Sequence, residues 1–353
     1  MKPYQIIFLV NDIHFNGGGE RVTVNMANWF ITRGYKVIIL SMAKPSSIET
    51  FPMNDGIRKE YLNVTNSKLL SKWIVYRRLK IFLKTCPTNT LIYGIGTYAN
   101  VLLGFLKRKD IYVICCEHNA FDSVSSIWKL CRKITYKKLD ACVVLTSSDI
   151  SKMKKLNSNS YVIPNSTPHV ESVCALSEKK VIAIGRLSYQ KAFDEMIKIF
   201  KIFSLENDDW NLEIFGEGED KSELENLILI SGLKDRIKIR NFSSDIKNIY
   251  LNASGLLLTS RYEGLPMVLL EAQSFGLPII SYDCETGPRD VIIDGRNGFL
   301  IEMNNKQAFV NALSLITQNN TLRKTMGINA KKDSMRFCED NIFQKWIDLI
   351  CSL

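Results

Sequence analysis

The chain has 353 residues, of which 46% are apolar, 10% aromatic and 23% charged, with 19 Gly and 9 Pro. These proportions exclude disorder, collagen and a small disulfide scaffold, and the length fits two domains of roughly 150 residues. The net charge of +10 is unevenly placed: residues 1–165 hold 24 Lys+Arg against 10 Asp+Glu, the remainder 22 against 26. A basic half beside a mildly acidic one points to a polyanionic partner for the first alone, either nucleic acid or an anionic membrane surface.

Taken in chain order, short apolar runs alternate with longer helical patterns, the signature of βαβ units and a parallel sheet. The first run, Ile6 to Val10, is followed at once by Asn11 and Asp12, which suits neither a membrane span of ~18–20 apolar residues nor a signal peptide. Strands are expected over residues 4–10, 36–41, 91–95, 111–116, 141–145 and 161–163, then over 181–185, 211–215, 237–240, 255–259, 278–281 and 298–301. Two such series predict two doubly wound domains, 1–165 and 180–335, joined by a polar linker over 166–179. Over 336–353, Ile342, Phe343, Trp346, Ile347 and Ile350 are spaced as on a helix, expected to pack back toward the first domain. The nine cysteines lack metal-ligand spacing and sit mostly in apolar runs, as reduced core residues of a cytoplasmic protein do.

Ligands of doubly wound sheets bind beyond the carboxyl ends of the strands, so motifs placed just after strands carry the chemistry. After the first strand comes Asn16-Gly17-Gly18-Gly19-Glu20-Arg21 and then a helix presenting Val22, Met26, Ala27 and Phe30. The glycines suit either a tight turn or a backbone that approaches phosphate at a helix N-terminus, and the pattern is not GxGxxG. Residues 68–84 interleave Lys68, Lys72, Arg77, Arg78, Lys80 and Lys84 with Leu69, Leu70, Trp73, Ile74, Leu79, Phe82 and Leu83. A helix there either docks on an anionic bilayer or turns its apolar face to the core. After the 111–116 run, Glu117-His118-Asn119 offers His118 as a hydrogen-bonding group in a cleft or as a satisfied core histidine.

In the second half, Gly185-Arg186-Leu187 with Lys191 places two cations where they can converge on a diphosphate. Phe215-Gly216-Glu217-Gly218 would let a flat base lie on backbone. The most informative run is Ser260 to Ala272, in which Glu263-Gly264-Leu265-Pro266 precedes a helix holding Glu271 within apolar residues. Pro266 suits its first turn and Gly276 its end. A carboxylate in such a run needs a hydroxyl or a cation, supplied by a bound sugar and ribose or by a neighbouring side chain. Three histidines and no Asp-x-Asp pair leave Asp283-Cys284-Glu285 as a poor substitute for a metal site, and no metal is expected.

Together the glycine loop, Glu117-His118, Gly185-Arg186-Leu187 with Lys191, Gly216-Glu217-Gly218, Glu263-Gly264-Leu265-Pro266 with Glu271, and Gly287-Pro288-Arg289-Asp290 resemble the retaining glycosyltransferases of family 4, in particular their bacterial polysaccharide and O-antigen branch. The resemblance spans nearly the whole chain. It implies an α/β, GT-B architecture of two Rossmann-like domains facing a central cleft, with the acceptor on the first domain and a nucleotide diphosphate sugar, UDP-linked, on the second. It implies that Glu263, His118, Arg186 and Lys191 serve the reaction, while Gly17, Gly18, Gly19, Gly216, Glu217, Gly264, Leu265, Pro266 and Glu271 bind the donor. It further implies metal-independent hexosyl or N-acetylhexosaminyl transfer to a lipid-linked or growing saccharide, on the inner face of the plasma membrane. The competing readings are an epimerase or phosphorylase of the same fold, and a nucleic-acid-binding module, against which no helix-turn-helix or aromatic RNA-binding motif stands in the sequence.

Overall fold

The computed structural model describes residues 5–15, 17–46, 51–64, 68–118, 120–241 and 245–353; Tyr4, Asn16 and Asn119 lie outside them, as do the side chains of Lys68, Leu69 and Leu70. The chain divides into two units, residues 1–164 with 344–353, and residues 165–343.

Unit 1 is built on a seven-stranded sheet of order β3-β2-β1-β4-β5-β6-β7. Its strands are β1 (Gln5–Val10), β2 (Lys36–Ser41), β3 (Arg58–Tyr61), β4 (Thr90–Ile95), β5 (Tyr112–Glu117), β6 (Ala141–Val144) and β7 (Ser160–Val162). All pairings are parallel, with Leu9 opposite Gly94 and Cys115 opposite Cys142. Strands β1, β4 and β5 are apolar on both faces because helices cover both faces. The helices are α1 (Gly18–Thr32), α2 (Lys68–Thr85), α3 (Thr97–Leu106), α4 (Ser126–Thr135) and α5 (Ile150–Lys154). The sheet order reverses between β1 and β4, the point where doubly wound sheets open a crevice. Strand β3 was not foreseen. Its residues Arg58, Lys59, Glu60 and Tyr61 pair only with β2 at the sheet edge, so no apolar run marks it.

Unit 2 carries a six-stranded parallel sheet of order β10-β9-β8-β11-β12-β13. Its strands are β8 (Lys180–Ile184), β9 (Asn211–Phe215), β10 (Ile237–Arg240), β11 (Gly255–Leu258), β12 (Ile279–Tyr282) and β13 (Gly298–Ile301). Around it lie α6 (Phe193–Phe203), α7 (Lys221–Ile230), α8 (Ile246–Leu251), α9 (Met267–Ser274), α10 (Pro288–Val291), α11 (Lys306–Gln318) and α12 (Asn320–Ser334). Phe193, Met196, Ile197, Phe200 and Phe203 of α6 form one buried face against Val181, Ala183, Leu212 and Ile214 of the sheet. Each such side chain contributes about 1.5–3 kcal/mol of burial, which is what fixes the helix to the sheet.

The stretch expected as a linker, 166–179, is packed instead. Thr167 is buried with its amide on the Phe337 carbonyl, and the Cys174 amide bonds the Phe275 carbonyl. The last helix, α13 (Glu339–Ser352), begins in unit 2 and ends in unit 1. In unit 1 its Trp346 is buried, edge-on to Tyr93 at 5.3 Å, and Tyr93 stacks on Phe8 of β1 at 4.9 Å.

Helix α2 answers one open choice in part. Val75, Leu79 and Leu83, spaced four apart, are buried in the core of unit 1. Arg78 donates to the Asn63 carbonyl at 2.8 Å. Trp73 and Ile81, in contrast, are more than half exposed. The expected apolar face is therefore split: Leu79 and Leu83 serve as core, Phe82 packs partly against it and Trp73 is exposed.

Candidate active site

The site residues of unit 2 stand at the carboxyl ends of β8 and β11. Beyond β8 the chain turns through Gly185 and Arg186 into a short 3-10 turn, Tyr189–Lys191, and Ala192 then takes a left-handed conformation at φ 52°. A buried non-glycine residue held there costs on the order of 1 kcal/mol, which its surroundings must over-determine. They do so through Thr259, just past β11, whose hydroxyl donates to the Ala192 carbonyl at 3.0 Å. The turn lays the Lys191 side chain across Gly185, where a Cβ would meet it at 3.1 Å.

Lys191 Nζ reaches Glu263 Oε1 at 2.6 Å, with side-chain exposures of 16% and 7%. This little solvent makes the pair a strong, charge-assisted contact. The loop carrying Glu263 is clamped from a third strand end: the Thr286 hydroxyl donates to the Glu263 carbonyl. Gly287, at φ 98°, lies so close to the Gly264 carbonyl and Pro266 that a Cβ would collide with both. The run 286–290 thus holds the Glu263-Gly264-Leu265-Pro266 loop in place. Leu265 is buried, and α9 starts at Met267 with Pro266 as its cap and ends before Gly276 at φ 74°. Burial first, and then the Glu263 charge, push the Cys284 thiol up to about 12, so the sulfur beside this carboxylate stays protonated and inert.

Glu271, buried within α9, accepts a 2.7 Å hydrogen bond from the Tyr250 hydroxyl. The carboxylate the sequence left without a partner therefore has one within the protein. Tyr250 escaped notice because it sits 21 residues upstream on α8 in an unremarkable run.

Arg186 and Lys191 do not share a partner. The Arg186 guanidinium is well exposed and bonds Glu219 Oε2 at 3.1 Å. Gly216 and Gly218 have a different reason from the one expected: Cβ atoms there would strike the backbone of Gly185 and Leu187 respectively. Both glycines are required by the packing of one strand-end loop on another, with Leu187 N donating to the Glu217 carbonyl at 2.9 Å, and neither offers an open platform for a base. Glu217 itself is exposed. Asp283 pairs with Arg289 at 2.6 Å, and no group of three or more metal-ligating side chains occurs among the described residues.

In unit 1, Gly17 caps α1. Cβ atoms built on Gly18 and Gly19 meet nothing within 4 Å, whereas one on Gly17 would strike Phe15 and Glu20. The helix start is therefore open at two of its three glycines. Burial raises the Glu20 carboxyl above its ordinary range.

At the end of β5, Glu117 and His118 part company. Glu117 is buried in a network that the sequence did not disclose. Arg132 Nη2 of α4 meets its Oε2 at 2.8 Å, Thr97 Oγ1 donates to it at 3.0 Å, Asn100 Nδ2 donates at 3.3 Å, and the Tyr136 hydroxyl also donates. Arg132 holds Thr97 and the Phe121 carbonyl as well. His118, the next residue, is only partly exposed, and its Nε2 is buried without a hydrogen-bond partner among the described residues. Burial lowers its pKa to about 4, so the imidazole is neutral at physiological pH.

A Glycosyltransferase Family 4 model matches residues 16–169, and a Glycosyl transferases group 1 model matches residues 169–333. The chain is 29% identical to the amylovoran biosynthesis glycosyltransferase AmsD of Erwinia amylovora, over 98% of this chain and 99% of that one. It is 25% identical, over 99% of both, to a Campylobacter jejuni protein named "GalNAc-alpha-(1->4)-GalNAc-alpha-(1->3)-diNAcBac-PP-undecaprenol alpha-1,4-N-acetyl-D-galactosaminyltransferase". Among solved structures, Anabaena Alr3699/HepE in complex with UDP and glucose superposes with a TM-score of 0.86 at 18% identity, covering 99% of this chain and all of that one. Two contiguous glycosyltransferase models account for the chain from residue 16 to 333, and both parallel sheets have counterparts in that structure. The chain therefore belongs to the family 4-like glycosyltransferases of the GT-B fold.

Proposed function

We propose that the protein transfers a hexosyl or N-acetylhexosaminyl group, with retention of anomeric configuration, from a UDP-linked donor to a lipid-linked or growing saccharide. The observation that carries this reading is the Lys191–Glu263 pair, little exposed at the carboxyl ends of β8 and β11. Retaining transfer needs a carboxylate to orient the donor sugar and a cation to neutralise charge developing on the leaving diphosphate. Lys191 supplies that cation and Glu263 the carboxylate. Arg186, whose ion pair with Glu219 is solvent-exposed and therefore cheap to exchange, supplies a second cation. Glu271 accepts the ribose hydroxyls while Tyr250 fixes its rotamer, and the open start of α1 receives phosphate. His118, neutral, serves the donor sugar as a hydrogen-bonding group. With two cations at the diphosphate, the reaction proceeds without a metal.

UDP in the solved HepE complex supports the donor, and the undecaprenol-linked saccharide named for the Campylobacter relative supports the acceptor. The amylovoran biosynthesis relative supports a place in polysaccharide synthesis, which this reading puts at the cell surface, with transfer on the cytoplasmic face of the plasma membrane. No helix among the described residues is long and apolar enough to cross a membrane.

Calorimetric titration with UDP and UDP-sugars, followed by NMR of the product's anomeric proton, tests the proposal. Saturable UDP binding and an α-linked product from an α-linked donor are expected, with Glu263→Ala and Glu271→Ala each losing most transfer while staying folded. A β-linked product, or full activity in either variant, refutes it.

A further inference from the structure

Helix α4 buries one face and leaves a second apolar face without cover. Arg132 and Thr135 point into unit 1, and Trp128 packs edge-on to Tyr98 at 5.7 Å. Ile127, Leu130 and Ile134, at i, i+3 and i+7, form a separate stripe about a third of a turn away, and they are 74%, 59% and 43% exposed. Three large aliphatic side chains in one line, on a helix of ten residues already anchored by its opposite side, exceed the scatter of single exposed apolar residues that any surface carries.

The stripe is framed by cations. Lys133, Lys137 and Lys138 are exposed and form no ion pair among the described residues. Across from α4, Lys72 Nζ of α2 lies 5.5 Å over the Trp128 ring, which brings the exposed Lys72, Trp73 and Arg77 of α2 beside it, with Arg77 stacked 4.7 Å over Trp73. The nearby acid Asp122 is taken up by Lys129 and Lys152.

We infer that the Ile127/Leu130/Ile134 stripe of α4 inserts into the interface of an anionic phospholipid bilayer, with Lys133, Lys137, Lys138 and the α2 cations on its headgroups. An apolar ridge inside a basic frame is complementary to acyl chains beneath anionic headgroups. A two-fold contact between copies of this chain through the same face would set lysine against lysine. A nucleic acid would leave the ridge against phosphates. The inference rests on the proposed site of action only in expecting a membrane, and it moves the docking element from α2, whose Val75, Leu79 and Leu83 form core, to α4.

The test is flotation of the full-length protein with vesicles of phosphatidylcholine alone or containing one-third phosphatidylglycerol, alongside UDP titration of the same samples. Wild type is expected to float with anionic vesicles, less so as salt is raised, and hardly with neutral ones. The variant Ile127→Asn/Leu130→Asn/Ile134→Asn should lose about tenfold or more in binding with UDP affinity unchanged, and Lys133→Glu/Lys137→Glu/Lys138→Glu should lose the salt-sensitive part. Should the triple Asn variant fail to fold, Leu130→Trp serves instead: its fluorescence should shift to the blue on anionic vesicles and be quenched by brominated acyl chains. Equal flotation of wild type and the triple Asn variant overturns the inference, as does a Leu130→Trp signal that vesicles leave unchanged. It is equally overturned by sedimentation showing a wild-type dimer that the triple Asn substitution dissociates, with no vesicle binding. Loss of UDP binding by wild type would refute the proposed donor and leave the vesicle result standing.

Discussion

Replacing Arg132 with methionine removes a guanidinium whose side chain is 1% exposed, opposite a Glu117 carboxylate at 2%. Glu117 would keep only neutral donors from Thr97, Asn100 and Tyr136. Stripping one partner from a buried ion pair leaves an uncompensated charge and costs about 3–5 kcal/mol. In a unit of this size each kcal/mol lowers the midpoint by roughly 2–4 °C, so the transition of unit 1 should fall by about 6–20 °C. Adding Glu117→Gln removes the stranded charge and should recover more than half of the loss, because neutral hydrogen bonds then suffice. Scanning calorimetry gives the size. Amide exchange over residues 112–118 assigns it to unit 1, since two units need not unfold together. Transfer should fall along with stability, because His118 follows Glu117 directly. A single variant losing less than about 1 kcal/mol, or a double variant no more stable than the single, would refute the reasoning.

Lys191→Met leaves Glu263 as a nearly buried, unpaired carboxylate and should cost about 2–3 kcal/mol in unit 2 together with at least about a hundredfold in turnover; urea unfolding and a transfer assay read the two effects. His118 titrates at about 4 when folded and near 6.5 when unfolded, so the unfolded state takes up its proton first. That contribution is fully present above pH 6.5 and lost as pH falls toward 4, by at most about 3 kcal/mol, and His118→Asn should flatten the slope between urea midpoints at pH 7 and pH 4.5. Gly216→Ala should lower the melting temperature of unit 2 by several degrees, since its methyl must displace the Gly185 carbonyl. Transfer should persist in EDTA, and an absolute need for Mg²⁺ or Mn²⁺ would contradict the metal-free reading.

Buried parallel strands announce themselves in sequence because both faces are apolar, and twelve of the thirteen strands among the described residues were placed within a residue or so; β3 was not, because an edge strand of Arg58, Lys59 and Glu60 has nothing to bury. Helix boundaries followed from Pro266 and Gly276, residues whose backbone needs are local. Partnerships were a different matter. Nothing local ties Glu263 to Lys191, 72 residues away, or Glu271 to Tyr250. Gly216 was legible as a close approach of backbone, but what approaches it, a carbonyl of the neighbouring loop, is decided by strand order. Apolar periodicity in α2 and α4 is similar in kind; which residues become core depends on the helix's neighbours, and in α2 these bury Val75, Leu79 and Leu83 but leave Trp73 and Ile81 exposed.

The assignment of residues 344–353 to unit 1 has a consequence for how the protein is made. Residues 1–164 leave the ribosome first, yet the segment that covers Tyr93 follows only after the intervening 179 residues. At 5–20 residues per second that is a wait of roughly 10–35 s, longer than most domains take to collapse. During it the nascent first unit lacks the Trp346 ring that later covers Tyr93, leaving an apolar surface for chaperones or for misassociation with other nascent chains. Unit 2, whose residues are contiguous, has no such interval. Vectorial synthesis therefore favours a nascent state in which the second unit is complete before the first, the reverse of the order in which they emerge.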